Sequence, residues 1–267
     1  MAQYLDEIIA YHRTRASGDR VLLPELEQKA LATLEADPPR DFEAALRGPE
    51  ISLIAEIKRR SPSKGEIAPD LDPKAVAVSY EEGGAACLSV LTDEPHFGGS
   101  TADLVAARAA VGLPVLRKDF TVSVADVFRA RLMGADAVLL IAAVLTDSEL
   151  EELHRAATGV RMCPLVEVHD SEEAARAATL GAKVVGINQR DLRTFKVDRS
   201  RAASLAAELG PGVTKVAESG IAEPSEVSHL HSAGFDAVLV GESLLRSPDP
   251  ASAVRRLLDR TRAGTCG

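Results

Sequence analysis

Six apolar runs in this chain end in polar residues suited to acid–base chemistry: AEIK at 55–58, VLRKD at 115–119, LVEV at 165–168, GINQRD at 186–191, VAESG at 216–220 and VGES at 240–243. Strands that finish this way, with helical segments between them, fit a parallel barrel whose carboxyl-end rim carries an active site. Apolar runs fall near 53–57, 86–91, 114–117, 137–142, 163–168, 184–187, 213–217 and 237–240, each followed by a helical stretch. Between Ile51 and Thr261 these make eight units of roughly 26 residues, the length that a strand, a short helix and two tight loops need.

A repeat supports the count. Gly84-Ala85, Gly134-Ala135, Gly181-Ala182 and Gly234-Phe235 each precede an apolar run, at intervals of roughly 50 residues, close to two units. Glycine suits a helix C-terminal cap, so one junction recurs before strands two, four, six and eight. The expected fold is α/β, a (β/α)8 TIM barrel; an open doubly wound sheet is the alternative. The expected division is an N-terminal helical extension over 1–50, packed on a barrel catalytic domain over 51–267. In the extension, Leu5, Ile8, Ile9 and His12 share a helical face, as do Leu23, Leu26, Ala30, Leu31 and Leu34, before Pro38 and Pro39. Those stripes must pack on the barrel, as a structural lid on one end, with a part in substrate binding as the alternative.

With 46% apolar and 27% charged residues the composition is that of an ordinary globular enzyme. No apolar run approaches the roughly 18 residues of a membrane helix, and the start MAQYLDEIIAYHRTR lacks a signal-peptide pattern; a cytoplasmic protein without a membrane partner is expected. A net charge of −9 argues against nucleic acid, so an anionic substrate must be caught by local groups. Cys87, Cys163 and Cys266 form no CxxC pair; Cys87 and Cys163 fall in expected strands, where a thiol is buried and inert. His12, His96, His154, His169, His229 and His231 show no metal-ligand spacing, and no metal is expected.

Alternation sharpens the rim. Glu56 and Lys58, two apart, project from one side of their strand. The same parity puts Lys118 with Leu116, Glu167 with Leu165, Asn188 with Gly186 and Glu218 with Val216. Any one of these alone reads as a solvated surface charge, whereas six with matching parity on five strands point to a site. Such a cluster shifts proton affinities, and a lysine beside another cation is primed to give up its proton. Gly220, after Glu218-Ser219, and Gly241, before Glu242-Ser243, follow strands seven and eight, where barrels build phosphate cradles from backbone N–H groups. Glycine lets the backbone approach phosphate oxygens, and Lys58 and Ser61 are further contacts.

The set IAEIKRRSPSKG (54–65), PVLRKDF (114–120), PLVEVH (164–169), GINQRDL (186–192), KVAESGI (215–221) and AVLVGESLL (237–245) resembles indole-3-glycerol phosphate synthase over nearly the whole chain. The resemblance implies a cofactor-free carboxy-lyase of tryptophan biosynthesis. It would close 1-(2-carboxyphenylamino)-1-deoxyribulose 5-phosphate to a five-membered ring, with loss of carbon dioxide and water, giving indole-3-glycerol phosphate. By the same resemblance Lys118 is the general acid at the ketone oxygen and Glu167 the base of the later elimination. Lys58 holds the substrate carboxylate and assists dehydration, and Glu56 orients it. Asn188 and Arg190 position the ribulose chain, and Glu218 with Ser219 completes the rim. The phosphorylated substrate is the expected small-molecule partner, and other enzymes of the tryptophan pathway are candidate protein partners.

An aryl ring needs an apolar wall. Phe97 and Phe120 stand out among only 3% aromatics; Leu139 and Leu192 are further candidates, Leu139 being equally readable as plain core. Glu242 departs from some members of the family, which carry serine there; a carboxylate aimed at phosphate would repel it, so the contact at this position is expected from a backbone N–H. Phosphoribosylanthranilate isomerase would share the glycine pair but relies on a Cys/Asp pair, with no use for Lys58, Lys118 and Glu167 together. A non-catalytic phosphosugar-binding regulator would keep the cradle and could lose the acids.

Overall fold

Among the described residues, eight parallel strands lie where the apolar runs fall: β1 (Ser52–Ile57), β2 (Cys87–Leu91), β3 (Val115–Lys118), β4 (Ala137–Ile141), β5 (Cys163–Val168), β6 (Val184–Asn188), β7 (Thr214–Glu218) and β8 (Ala237–Val240). Each pairs with its neighbours in the chain, and β8 closes on β1 with Ser52 opposite Ala237 and Ala55 opposite Val240. The closed ring rules out the open sheet, because no strand edge is left unpaired. The computed structural model describes residues 2–20, 22–62, 64–190 and 199–263; Cys266 lies outside them.

Alternation along the pleat sorts the core into two. Inward residues Ile54, Cys87, Leu116, Leu139, Leu165, Val184, Val216 and Leu239 fill the barrel, while Leu53, Leu88, Val115, Leu140, Val166, Val185 and Val238 face the surrounding helices. Both described cysteines are free; burial raises the pKa of Cys87 above the thiol range and pushes that of Cys163 up to about 12, as befits inert thiols. Helices start on side-chain caps such as Asp72, Ser123 and Asp170, and Thr146 forms a capping box with Glu149. They end as the glycine repeat foretold: Gly84 and Gly181 cap at φ 96° and 75°, and Gly134 and Gly234 take φ 88° and 85° one residue past the cap. No helix among the described residues is long and apolar enough to cross a membrane.

The helices before β1 are α1 (Ala2–Ser17), α2 (Leu23–Ala36) and α3 (Phe42–Leu46), and they serve both ends of the barrel. Phe42 and Leu46 join the interior cluster beside Cys87 and Ala137, the first residues of their strands, and so plug the amino-terminal floor. Buried Asp136 secures this floor, accepting the N–H groups of Arg40 and Val115 at 2.8 Å each and the Arg108 guanidinium at 3.0 Å. α2 lies on helix Val124–Leu132, where buried Arg131 donates to Thr33 Oγ1 at 3.0 Å. Its expected apolar face is only partly used: Leu26 and Ala30 are buried, but Leu23 and Leu31 stay 46% and 42% exposed. α1 reaches the opposite end. Arg13 grips Glu149 at 2.6 and 3.0 Å and Arg15 meets Asp126 at 2.6 Å, both acids standing in first helical turns at the carboxyl rim.

Phe42→Ala should lower the urea-unfolding free energy by about 3–5 kcal/mol, as for other buried phenylalanines. KM should stay unchanged, since the floor lies a full strand length from the mouth; a matching loss of substrate affinity would contradict this separation.

Candidate active site at the carboxyl-end mouth

The strand ends open into a cavity of about 640 Å³ lined by Glu56, Lys58, Lys118, Glu167, Asn188, Glu218 and Ser219. All the rim residues read from strand parity thus face one space. At its centre Lys118 Nζ stands 3.1 Å from Glu167 Oε2 and 3.3 Å from Glu218 Oε2. Asn188 Nδ2 donates to Glu167 Oε1 at 3.3 Å, and Asn188 Oδ1 accepts the Arg190 N–H at 3.0 Å. Lys58 Nζ bonds Glu56 Oε1.

These contacts reverse one expectation. Lys118 is not primed to lose its proton. Burial works against its charge, but Glu167, Glu218 and Glu56 outweigh burial and hold the ammonium above the ordinary lysine range. The nearest charges are opposite in sign rather than alike, and the second lysine is occupied by Glu56. Glu167 is likewise held ionised below the carboxylate range: burial opposes this, and Lys118 and then His169 overcome it. Glu218 goes the other way. Burial, with Glu167 beside it, pushes it up to about 8 despite Lys118. Its Oε1 has no hydrogen-bond partner among the described residues, which suits a carboxyl that keeps its proton at neutral pH.

His169 is a functional neighbour that the sequence reading passed over. Its Nε2 stands 3.4 Å from Glu167 Oε1 and its Nδ1 3.0 Å from Glu173 Oε2. Burial lowers its proton affinity, but the two glutamates raise its pKa to about 10. The clue was present in VEVH, since His169 shares the parity of Glu167 two residues before it. His12 and His96, far apart in sequence, also meet, around Asp93.

The residues expected to hold phosphate share the cavity, and Gly241 has a further neighbour to accommodate. Ser61, Gly220, Gly241, Glu242 and Ser243 all line the cavity. Ser219 and Gly220 hold φ 71° and 74° in succession, turning the chain after β7. Glycine at 241 answers a neighbour: a Cβ there would lie 2.7 Å from Glu56 Oε1. Glu242 is engaged by Arg246 at 3.1 Å and Lys64 at 3.6 Å, and both cations line the cavity too. Neither was singled out in the sequence, although Lys64 stands in SPSKG. Phe97 and Phe120, with ring centroids 6.2 Å apart, and Leu139 line the same cavity. Leu139 is both buried core and cavity wall. Tyr4, Leu5 and Ile8 of α1 also line the cavity, so the extension borders it. Leu192 lies outside the described residues.

Folding raises the proton affinities of both His169 and Glu218. Their stabilisation is full below the ordinary values of 6.5 and 4.5 and is lost as pH rises through about 10 and about 8. Melting temperature should therefore fall between pH 6.5 and 10, and fall less steeply in His169→Gln. Calorimetry that gives both proteins the same slope would remove His169 from this balance.

The indole-3-glycerol phosphate synthase family matches residues 5–257. Indole-3-glycerol phosphate synthase 1 of Streptomyces coelicolor is 48% identical over 256 residues, covering 95% of this chain and 94% of that protein. The Mycobacterium avium enzyme of the same name is 47% identical over 257 residues, covering 96% and 94%. Among solved structures, thiamine phosphate pyrophosphorylase from Pyrococcus furiosus superposes with TM-score 0.62 at 17% identity, covering 85% of this chain and all of that one. The N-acetylmannosamine-6-phosphate 2-epimerase of Clostridium perfringens gives 0.59 at 15%, covering 85% and 96%. These two share the barrel alone. By family match and by identity along its length, the chain belongs to the indole-3-glycerol phosphate synthase family, the carboxy-lyases of tryptophan biosynthesis.

Proposed function

We propose that the mouth closes, decarboxylates and dehydrates 1-(2-carboxyphenylamino)-1-deoxyribulose 5-phosphate with Lys118 as acid and Glu167 as base. The observation that carries the assignment is the 3.1 Å contact between these two groups. As the aryl carbon attacks the ketone, negative charge grows on the ketone oxygen, and a lysine kept charged by its carboxylate neighbours is on hand to protonate it. That transfer also prepares the next step. Two unit charges about 4 Å apart interact by about 4 kcal/mol at an effective dielectric constant of about 20, which corresponds to about three pKa units. Once Lys118 is neutral, the larger of the two influences that hold Glu167 low is gone and only His169 remains, so Glu167 becomes a stronger base for the proton lost in elimination. Acid before base follows from the electrostatics of one contact.

Lys58 would hold the anthranilate carboxylate, with Glu56 fixing its position until substrate arrives, and would assist the departure of hydroxide as water. Asn188 and Arg190 would orient the ribulose chain. Glu218, keeping its proton at neutral pH, would bond the Glu167 side of the mouth without adding a second full negative charge, and Ser219 would complete that rim. The aryl ring would lie against Phe97, Phe120 and Leu139, as flat rings favour such walls. The phosphate would meet Ser61, Ser243 and the backbone at Gly220 and Gly241, with Lys64 and Arg246 neutralising it and keeping Glu242 turned aside. A cytoplasmic location and neighbouring enzymes of the tryptophan pathway as protein partners accompany this reading.

Mixing the purified protein with the anilino-ribulose phosphate should produce indole fluorescence. Lys118→Ala and Glu167→Gln should each keep binding near normal while turnover drops by at least roughly a hundredfold, the scale of general acid–base groups. Near-normal turnover in either would refute its role. Lys58→Ala should raise KM more visibly than the other two, through loss of the carboxylate contact, and steady-state kinetics on the three variants separate the assignments.

A further inference from the structure

We propose that His12, Asp93 and His96 form a binding site for a divalent transition-metal ion of the zinc or cobalt kind, tying α1 to the loop after β2. The inference is independent of the catalytic assignment. One nitrogen from each histidine and one carboxylate oxygen all lie within 4.8 Å of one another. Asp93 Oδ2 is the common point, 2.8 Å from His96 Nδ1 and 3.7 Å from His12 Nε2. Tetrahedral ligands held at the usual zinc distances stand roughly 3.3 Å apart, so the ion needs only small side-chain rotations.

His12 supplies the second, independent observation. It is 1% exposed, and neither ring nitrogen has a hydrogen-bond partner among the described residues. A buried polar group left in this state costs stability. The oxygens nearest to Nε2 are those of Asp93 at 3.7 Å and Asp119 at 3.9 Å, too far for a proton to bridge but well placed on either side of a cation. Both Asp119 oxygens are already engaged, Oδ2 by Arg117 at 2.6 Å and Oδ1 by the Phe120 N–H at 2.8 Å, so the fourth position falls to a water or to the second lone pair of Oδ1.

Ligand chemistry selects the ion. Two imidazoles and one carboxylate suit zinc, cobalt or nickel, whereas calcium and magnesium prefer oxygen throughout. The Phe120 ring, centred 5.3 Å from His12, packs on the buried side of the cluster, and the half-exposed Tyr11 ring lies 5.5 Å from His96. The cations nearby are otherwise engaged: Arg60 with the carbonyls of Glu94 and Pro95, and Arg117 with Asp119 at 2.6 Å. A bound ion would fasten α1 where its residues Tyr4, Leu5 and Ile8 border the cavity.

Chelator-treated full-length protein, titrated with Co2+, should bind one tight equivalent, develop visible absorption bands from imidazole ligation and melt at a higher temperature. Removing a ligand should cost at least roughly the tenfold seen for groups that merely support one, so His96→Gln and Asp93→Asn should each lose that much affinity together with the absorption bands. Because His96 is only part-buried, His96→Gln tests the site even where changing buried His12 impairs folding. Absence of a saturable equivalent in the unchanged protein, or equal affinity in His96→Gln, would overturn the proposal.

Discussion

The ammonium of Lys118, buried between Glu167 and Glu218, is the charge balance on which the mouth of this barrel rests. Three carboxylates converge where the core ends, and without a cation among them they could not share that space in ionised form. The arrangement is not there for stability, because a well-packed apolar core would be as stable or more so. It persists as a prepared set of proton positions: one lysine held charged, one glutamate held ionised, one glutamate held neutral up to about 8. Removing Lys118 would leave like charges facing one another, so its loss carries a structural penalty as well as a chemical one.

The rest of the molecule isolates that balance. The floor is closed by Phe42 and Leu46, and above it the inward residues are apolar through Leu165 and Leu239 before the first charges appear. Water therefore has access from one end only. α1 partly screens that end, its basic residues held by Glu149 and Asp126 in the first turns of two barrel helices, where the acids are also favoured by the helix dipoles. The chain before β1 thus works as a strap from mouth to floor, with a different task at each end.

What was legible in the sequence follows from periodicity. A period of two fixes which strand residues share a face, so Lys118, Glu167, Asn188 and Glu218 could be grouped before any coordinates, and the recurring glycines gave the two-unit rhythm. Contacts formed by chain segments far apart have no such period. Tyr4, Leu5 and Ile8 at the cavity, Arg246 beside Lys64, and the meeting of His12 with His96 depend on how α1 and the loops settle against the barrel. Leu23 and Leu31 show the limit from the other side: a helical stripe states which residues can be buried, and tertiary packing decides which are. The expectation that a lysine in the cluster is primed to give up its proton fails for a related reason. Parity places two lysines near one opening but cannot say that each will sit closest to a carboxylate.

Two glycines show how finely the balance is fitted. A Cβ at Gly186 would stand 2.1 Å from Glu218 Oε1, and one at Gly241 would stand 2.7 Å from Glu56 Oε1. Neither residue has the positive φ that would demand glycine for its own backbone. Each is small because an acid from the next strand, or from across the β8–β1 seam, lies against it. A methyl group at either place would press a carboxylate toward Lys118 or out of its reach, altering the proton affinities of the whole cluster. At both positions the absence of a side chain makes room for the carboxylates that set the charge of the mouth.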